Sequence, residues 1–204
     1  LETDTTGSES TVLGTSAFRQ NANGIRNASL GINTGFWITG SNNTFLGSYA
    51  GEGSSTGSTT ANSNTAVGFL TLRNIRSGTQ NTALGEYALT SDTSGSLNVA
   101  VGAGSMESHL RGNDNVAMGF WAGRQDTASE RNVYIGRDAG YSNQRDDIIA
   151  IGYQALFNNS NGAAPLDAVD NTAIGRQALR DNTSGNYNVA IGNYSQFQST
   201  STGG

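Results

Sequence analysis

A short alternation of large apolar and small residues returns along the whole chain at nearly constant spacing. Its form is Asn-[Thr/Val]-Ala-[aliphatic]-Gly, and the clearest copies end at Gly68, Gly85, Gly102, Gly119, Gly175 and Gly192. With the weaker copies ending at Gly14, Gly31, Gly47, Gly136 and Gly152, the motif glycine recurs at intervals of 17, 16, 21, 17, 17, 17, 17, 16, 23 and 17 residues. The residue before it is always large and apolar, from Leu13 through Met118 to Ile191. The residue between this position and the preceding residue, mostly Thr, Val or Ile, is usually Ala, with Phe45 and Tyr134 as aromatic exceptions. Period-two alternation in a β-branched run predicts a short strand. The aliphatics share one face, and the small residue on the other permits close packing.

Three residues after the glycine a small residue recurs: Ala17, Thr34, Ala50, Thr71, Ala88, Ser105, Ala122, Ala139, Ala155, Ala178 and Ser195. An apolar residue or glycine follows it, which predicts a second short strand. Turn chemistry then closes the unit, as in Ser91-Asp92-Thr93-Ser94-Gly95. A fixed short period means one supersecondary unit stacked on copies of itself. The predicted fold is therefore all-β: a repeat solenoid, a narrow parallel β-roll of about eleven coils. At about 4.8 Å per coil the array makes a rod of roughly 50 Å.

Stacking aligns equivalent positions. The motif asparagines Asn64, Asn81, Asn98, Asn115, Asn132, Asn171 and Asn188 are expected to form a structural ladder that satisfies turn backbone coil after coil. The glycines Gly68, Gly85, Gly102, Gly119, Gly136, Gly152, Gly175 and Gly192 run beside it. Ser10 and Ile148 depart from the asparagine, so the ladder is expected to be capped or interrupted at Ile148. One aliphatic and a few small residues per coil bury little area. The small faces then suggest packing against further copies of the chain, a homo-oligomer with rotational symmetry.

Composition narrows the function. Glycine supplies 28 of 204 residues and proline only Pro165, yet regular aliphatic positions argue against disorder. All 11 basic residues are arginine against 16 acids, and the net charge of −5 gives no reason to expect nucleic-acid binding. With no cysteine, disulfides and thiolate-held metals are excluded. No apolar stretch reaches the roughly 18 residues of a membrane span, and no signal peptide is visible. Residues 1–10 read as a linker or the start of a cut fragment, 11–197 as the continuous roll and 198–204 as a flexible C-terminal end.

Asn171-Thr172-Ala173-Ile174-Gly175 and Asn188-Val189-Ala190-Ile191-Gly192 resemble the head repeat of YadA-like trimeric autotransporter adhesins. The longer form, Asn-Thr-Ala-Ile-Gly-x-x-Ala-Leu with a Ser-Gly turn, is still more similar to repeats of phage tail fibres that end in a self-cleaving intramolecular chaperone. Asn171 to Leu179 and Asn81 to Leu89 show it best, and the likeness runs from about Thr11 to Phe197. The resemblance implies a left-handed roll and a homotrimer, whether intertwined or side by side. The 17-residue period departs from the shorter adhesin repeat and favours the phage form. No neck, heptad stalk, membrane anchor or chaperone domain is present, and the ending Ser-Thr-Ser-Thr-Gly-Gly would fit processing or truncation.

The candidate sites are few. Trp37, Trp121, Tyr49, Phe157 and Asn159 are the candidate glycan or receptor contacts, because exposed aromatics stack on sugar rings and loop insertions often carry binding faces. The competing reading of the aromatics is a structural stack between coils, since Tyr49, Tyr87, Trp121 and Tyr194 share one repeat position. Insertions lie at Glu52–Thr60 and Phe157–Asp167. Asp146-Asp147 and Asp167/Asp170 are the candidate calcium ligands, but the Gly-Gly-x-Gly-x-Asp repeat is absent and no cofactor is expected. His109, the single histidine, reads as a solvated turn residue. No nucleophile elbow or phosphate loop appears, so no catalytic residue is assigned.

The expected function is the structural, receptor-binding segment of a trimeric phage tail fibre that mediates host-surface attachment. Its partners would be copies of itself, other tail-fibre or baseplate proteins, and a host surface glycan or outer-membrane receptor. The location would be extracellular, on the virion tail. The alternative is the head of a bacterial trimeric autotransporter adhesin on the cell surface. A glycan-degrading tailspike is a weaker third reading, and an ice-binding face lacks regular Thr-x-Thr rows.

Overall fold

The computed structural model describes residues 8–21, 23–55, 59–159, 168–196 and 198–199. Among them no helix occurs. Eleven three-residue strands, from Thr11–Leu13 to Val189–Ile191, stack in sequence order as one parallel sheet, each coil of chain adding one strand. Register never slips: Thr82 pairs with Val99, Ala83 with Ala100 and Leu84 with Val101. It holds across the longer intervals too, where Leu46 pairs with Val67 and Ile151 with Ile174. The β-solenoid expected from the periodicity is what the chain forms. The C-terminal end extends it: Gln198–Ser199, expected to be flexible, pairs in parallel with Asp181–Asn182.

The second expected strand is instead a run of turns. Three positions in a typical coil hold left-handed φ, as at Gln80 (59°), Tyr87 (59°) and Leu89 (50°), and again at Leu97 (61°), Gly104 (63°) and Met106 (49°). Such a conformation costs a non-glycine residue about 1 kcal/mol. Hydrogen bonds to neighbouring coils offset it: Tyr87 N–H donates to Phe69 O at 3.0 Å and Leu89 N–H to Ser105 O at 3.1 Å. The backbone is thus bonded coil to coil around much of the perimeter, although only one wall is extended along the whole stack.

The orientation of the strand is the reverse of that expected. The central small residue points into the coil, where Ala66, Ala83, Ala100, Ala117 and Ala150 are fully buried. The flanking aliphatics point outward, with Leu84 46% and Met118 44% exposed. Volume explains the reversal. The space directly behind the strand takes one large side chain per level, and the residue four after the glycine supplies it, as in Leu72, Leu89, Met106, Leu156 and Leu179. The complement is strict where the strand carries an aromatic. Phe45 is matched by Gly51 and Tyr134 by Gly140, and a Cβ at position 51 would lie 2.6 Å from the Phe45 ring. Burying one such leucine stabilises by about 1.5–3 kcal/mol and adds to the backbone hydrogen bonds between coils.

The asparagine ladder forms as expected. Asn81 donates from its backbone N–H and from Nδ2 to Asn64 Oδ1 at 3.0 and 3.1 Å, and its Nδ2 also reaches Gly95 O at 2.7 Å. Asn98 N–H donates to Asn81 Oδ1 at 3.0 Å and Asn115 N–H to Asn98 Oδ1 at 3.1 Å. Ser10 Oγ accepts from Asn27 N–H at 3.0 Å and so substitutes for the missing first asparagine. At Ile148 the ladder is interrupted: its N–H donates to Asn132 Oδ1 at 2.8 Å, but its side chain offers no acceptor to Asn171. The motif glycine is required for contact as well as conformation. Gly85 has φ of +126°, and a Cβ there would lie 2.7 Å from the carbonyl carbon of Gly102.

Candidate functional site

Two outer faces and one interior column hold the functional candidates. The first face is the sheet itself. Its outward row runs through Leu13, Leu30, Leu46, Leu84, Met118, Ile135 and Ile191. The end residues Leu13 and Ile191 are 67% and 70% exposed. Single apolar residues on a surface need no explanation, but an unbroken apolar stripe along a rod marks an interaction surface. The sequence named these residues but placed them inside.

The second face follows the motif glycine and carries aromatics and arginines. Tyr49, Phe69 and Tyr87 stack edge to face with centroids 6.3 and 5.8 Å apart. Farther along, Trp121, Tyr141 and Phe157 continue at 6.1 and 4.9 Å. Arginines lie over the rings: Arg73 is 5.8 Å from the Tyr49 centroid and Arg124 is 4.4 Å from that of Trp121. Arg124 Nε donates to Glu107 Oε2 at 2.7 Å, and Nη1 to Tyr141 Oη at 3.1 Å. The hydrogen bond to Glu107 raises the Arg124 pKa further. Of the expected contacts, Tyr49, Trp121 and Phe157 therefore lie in one row, half-buried. Trp37 sits apart from this row, packed edge-on against Phe36 at 4.8 Å.

Asn159 is not a surface contact. It is fully buried, donating to Asn143 Oδ1 at 2.7 Å and to Ala168 O at 2.8 Å while accepting from Asn182. It belongs to an interior column seven residues after the motif glycine, broken at the half-buried Ser54 of the first insertion: Asn21, Ile38, Ile75, Asp92, His109, Asp126, Asn143, Asn159 and Asn182. All nine are fully buried. Most polar members cap the turn that follows. Asp92 Oδ1 accepts from Ser94 N–H and Gly95 N–H at 3.1 and 2.7 Å, and Asn182 Oδ1 accepts from Gly185 N–H at 3.0 Å.

His109 is in this column, not in solvent. Its Nδ1 lies 3.8 Å from Asp92 Oδ2, an ion-pair distance too long for a hydrogen bond. Burial alone would lower its pKa, but neighbouring Asp92 and Asp126 outweigh burial and raise it. Asp126 in turn accepts from Ser129 Oγ at 2.5 Å and from Tyr134 Oη at 2.9 Å. Burial, then the Asp126 charge, pushes the Tyr134 phenol well above its usual range. A histidine with no exposed surface has no route to an outside substrate, so this cluster serves the wall of the coil.

Of the calcium candidates, Asp146 and Asp147 are arginine partners. Asp147 accepts from Arg131 at 2.7 and 2.9 Å, which lowers its pKa, and Asp146 lies 3.6 Å from the same guanidinium. Asp167 and most of the second insertion lie outside the described residues. Among the described residues no three acidic or histidine side chains converge as a metal-holding group. Of the first insertion, Thr59 is tied back through its hydroxyl to Trp37 O.

Compared with protein-family models, with curated proteins and with solved structures, the chain matches none.

Proposed function

We propose that the chain is a segment of a homotrimeric fibre of the phage tail-fibre kind, giving reach and rigidity and contributing to host-surface attachment outside the cell. The observation that carries this reading is the continuous aliphatic stripe on the stacked sheet. Each coil offers the same two outward residues, as in Thr82 and Leu84 or Val116 and Met118, at the same height step. A surface repeated by translation along the rod is matched by an equal repeat, which favours further copies of the chain side by side about a common axis. The motif resemblance supplies the number three. Linked identical faces then turn weak attachment into avidity.

Light scattering on a sizing column tests the reading. A mass near three times 21.1 kDa is expected. A charge in the stripe, Met118→Glu, should dissociate the assembly while each coil keeps its interior. A folded, monodisperse monomer of the unaltered chain would overturn the proposal.

A further inference from the structure

The outward aromatic row has one missing rung. The coils at Gly47, Gly68, Gly85, Gly119 and Gly152 carry an aromatic one or two residues after the glycine, and the coil at Gly136 carries Tyr141 five after it, whereas the coil that begins at Gly102 has Ala103, Gly104 and Glu107 at these positions. The break falls between Tyr87 and Trp121, two coil steps apart, or about 10 Å. Gly104 has φ of +63°, and a Cβ on it would lie 2.5 Å from Trp121 Cδ1 and 3.3 Å from Glu107 Oε2. Its bare backbone therefore lets the indole lean into the gap. What remains is a cleft of about 270 Å³ between Tyr87 on one side and Phe120 and Trp121 on the other, with Glu86, Glu107 and Arg124 at its rim.

We infer that this cleft binds a single pyranose ring of a neutral surface glycan. The inference deepens the attachment reading and rests on it for its biological setting. The size is below the roughly 300–1,000 Å³ of drug-sized pockets, which suits one ring and not an extended chain. Arg124 lies over the Trp121 indole at 4.4 Å and Phe120 packs against it at 4.4 Å, so the indole walls the cleft. The Tyr87 ring across it takes the C–H face of a sugar, and rim groups take its hydroxyls. The rim is set in advance: Arg124 is held by Glu107 at 2.7 Å and by Tyr141 at 3.1 Å, so a donor and an acceptor stand side by side for vicinal hydroxyls. Glu86 is exposed and has no ion-pair partner among the described residues.

The same groups disfavour other occupants. A cation would meet Arg124, already 4.4 Å from the Trp121 centroid. An anion would meet Glu86. An apolar side chain would bury the Glu86 carboxylate without a partner, which is costly. A ring rich in hydroxyls satisfies both rings and rim.

Saturation-transfer NMR on the full chain, with methyl glucoside, galactoside, mannoside and N-acetylglucosaminide as probes, tests this. Transfer to the ring protons of at least one probe is expected, retained in Trp37→Ala and lost in Trp121→Ala. Ala103→Phe is the second variant. Phenylalanine already occupies this position at Phe69 and Phe120, so the fold accepts it while the added ring fills the cleft; transfer should vanish. No transfer to any probe, or transfer that survives Ala103→Phe, overturns the inference. Light scattering on the same samples separates the two readings. A trimer without transfer removes the sugar site alone, and a monomer with transfer removes the fibre reading alone.

Discussion

Two polar columns run through the interior of this rod, and they are built under different rules. The motif-asparagine column admits almost no variation. The column seven residues after the glycine holds isoleucine, aspartate, asparagine and a histidine. In the first, each rung accepts the backbone N–H of the next coil, as Asn81 does for Asn98, so changing one residue leaves a backbone group in another coil unpaired. In the second, most polar side chains cap their own turn, as Asp92 and Asn182 do, so residue types can differ from coil to coil, and links between coils are confined to pairs such as Asn159 with Asn143 and Asn182. Repetition is thus enforced where the partner of a group lies in the neighbouring repeat and relaxed where it lies within the same one.

The sharpest way to break this contrast is Asn98→Ala. It strips the acceptor from Asn115 N–H and the donor from Gly112 O, both buried. At about 1–3 kcal/mol for each orphaned group, a loss of roughly 3 kcal/mol is expected in urea unfolding. A cost below about 1 kcal/mol would show that the ladder is incidental. Asp92→Ala should cost less at a pH where His109 is neutral, about 1–2 kcal/mol, because there only its own turn is uncapped; at lower pH it also removes the charge facing His109 of the next coil. Asp92→Asn should keep the cap, since asparagine already caps the same turn at Asn21 and Asn182, and so should cost little except at low pH, where the charge facing His109 is lost.

A pH series examines the one cationic rung. His109 has its folded pKa raised above the unfolded value of 6.5. Its stabilising contribution is therefore full below pH 6.5 and is lost as pH rises through the folded pKa. The Tm should fall gradually on that side, and His109→Asn should flatten the slope. The carboxylates that face this ring are Asp92 and Asp126 on the flanking coils. Because His109 is the single histidine, its ring proton shifts report the titration without assignment of other signals. The smallest effect is expected from Ile148→Asn. It restores a rung between Asn132 and Asn171 but removes a buried aliphatic, so the two changes should offset to within about 1 kcal/mol.

Much of this was legible in the chain. Periodicity gave the stacked coils, the asparagine ladder and its fault at Ile148, because each depends on the spacing of one residue type. The inside and outside of the strand were not legible from alternation alone, since alternation has no sign. A sign was nevertheless present. Positions 45 and 134 are aromatic where 51 and 140 are glycine, and Ala66, Ala83 and Ala100 accompany Leu72, Leu89 and Met106. Sizes that trade off in this way share one confined volume. The burial of His109 was hidden because its column lacks a consensus residue. The cleft beside Trp121 was hidden because its signal is the absence of an aromatic at Ala103 and Gly104, which only a register of all coils exposes.

The glycine-on-glycine contact described for Gly85 and Gly102 has a genetic corollary. Every row closes on the same atoms one coil farther on, so unequal crossing-over that adds or removes a whole repeat rejoins compatible ends. The rod then changes by a single step of about 4.8 Å, with no new turn to invent. Extra residues within a repeat leave the pairing of Leu46 with Val67 and of Ile151 with Ile174 untouched. Rod length is thus a counted quantity, open to selection one integer at a time, while sideways elaboration can drift without altering that count.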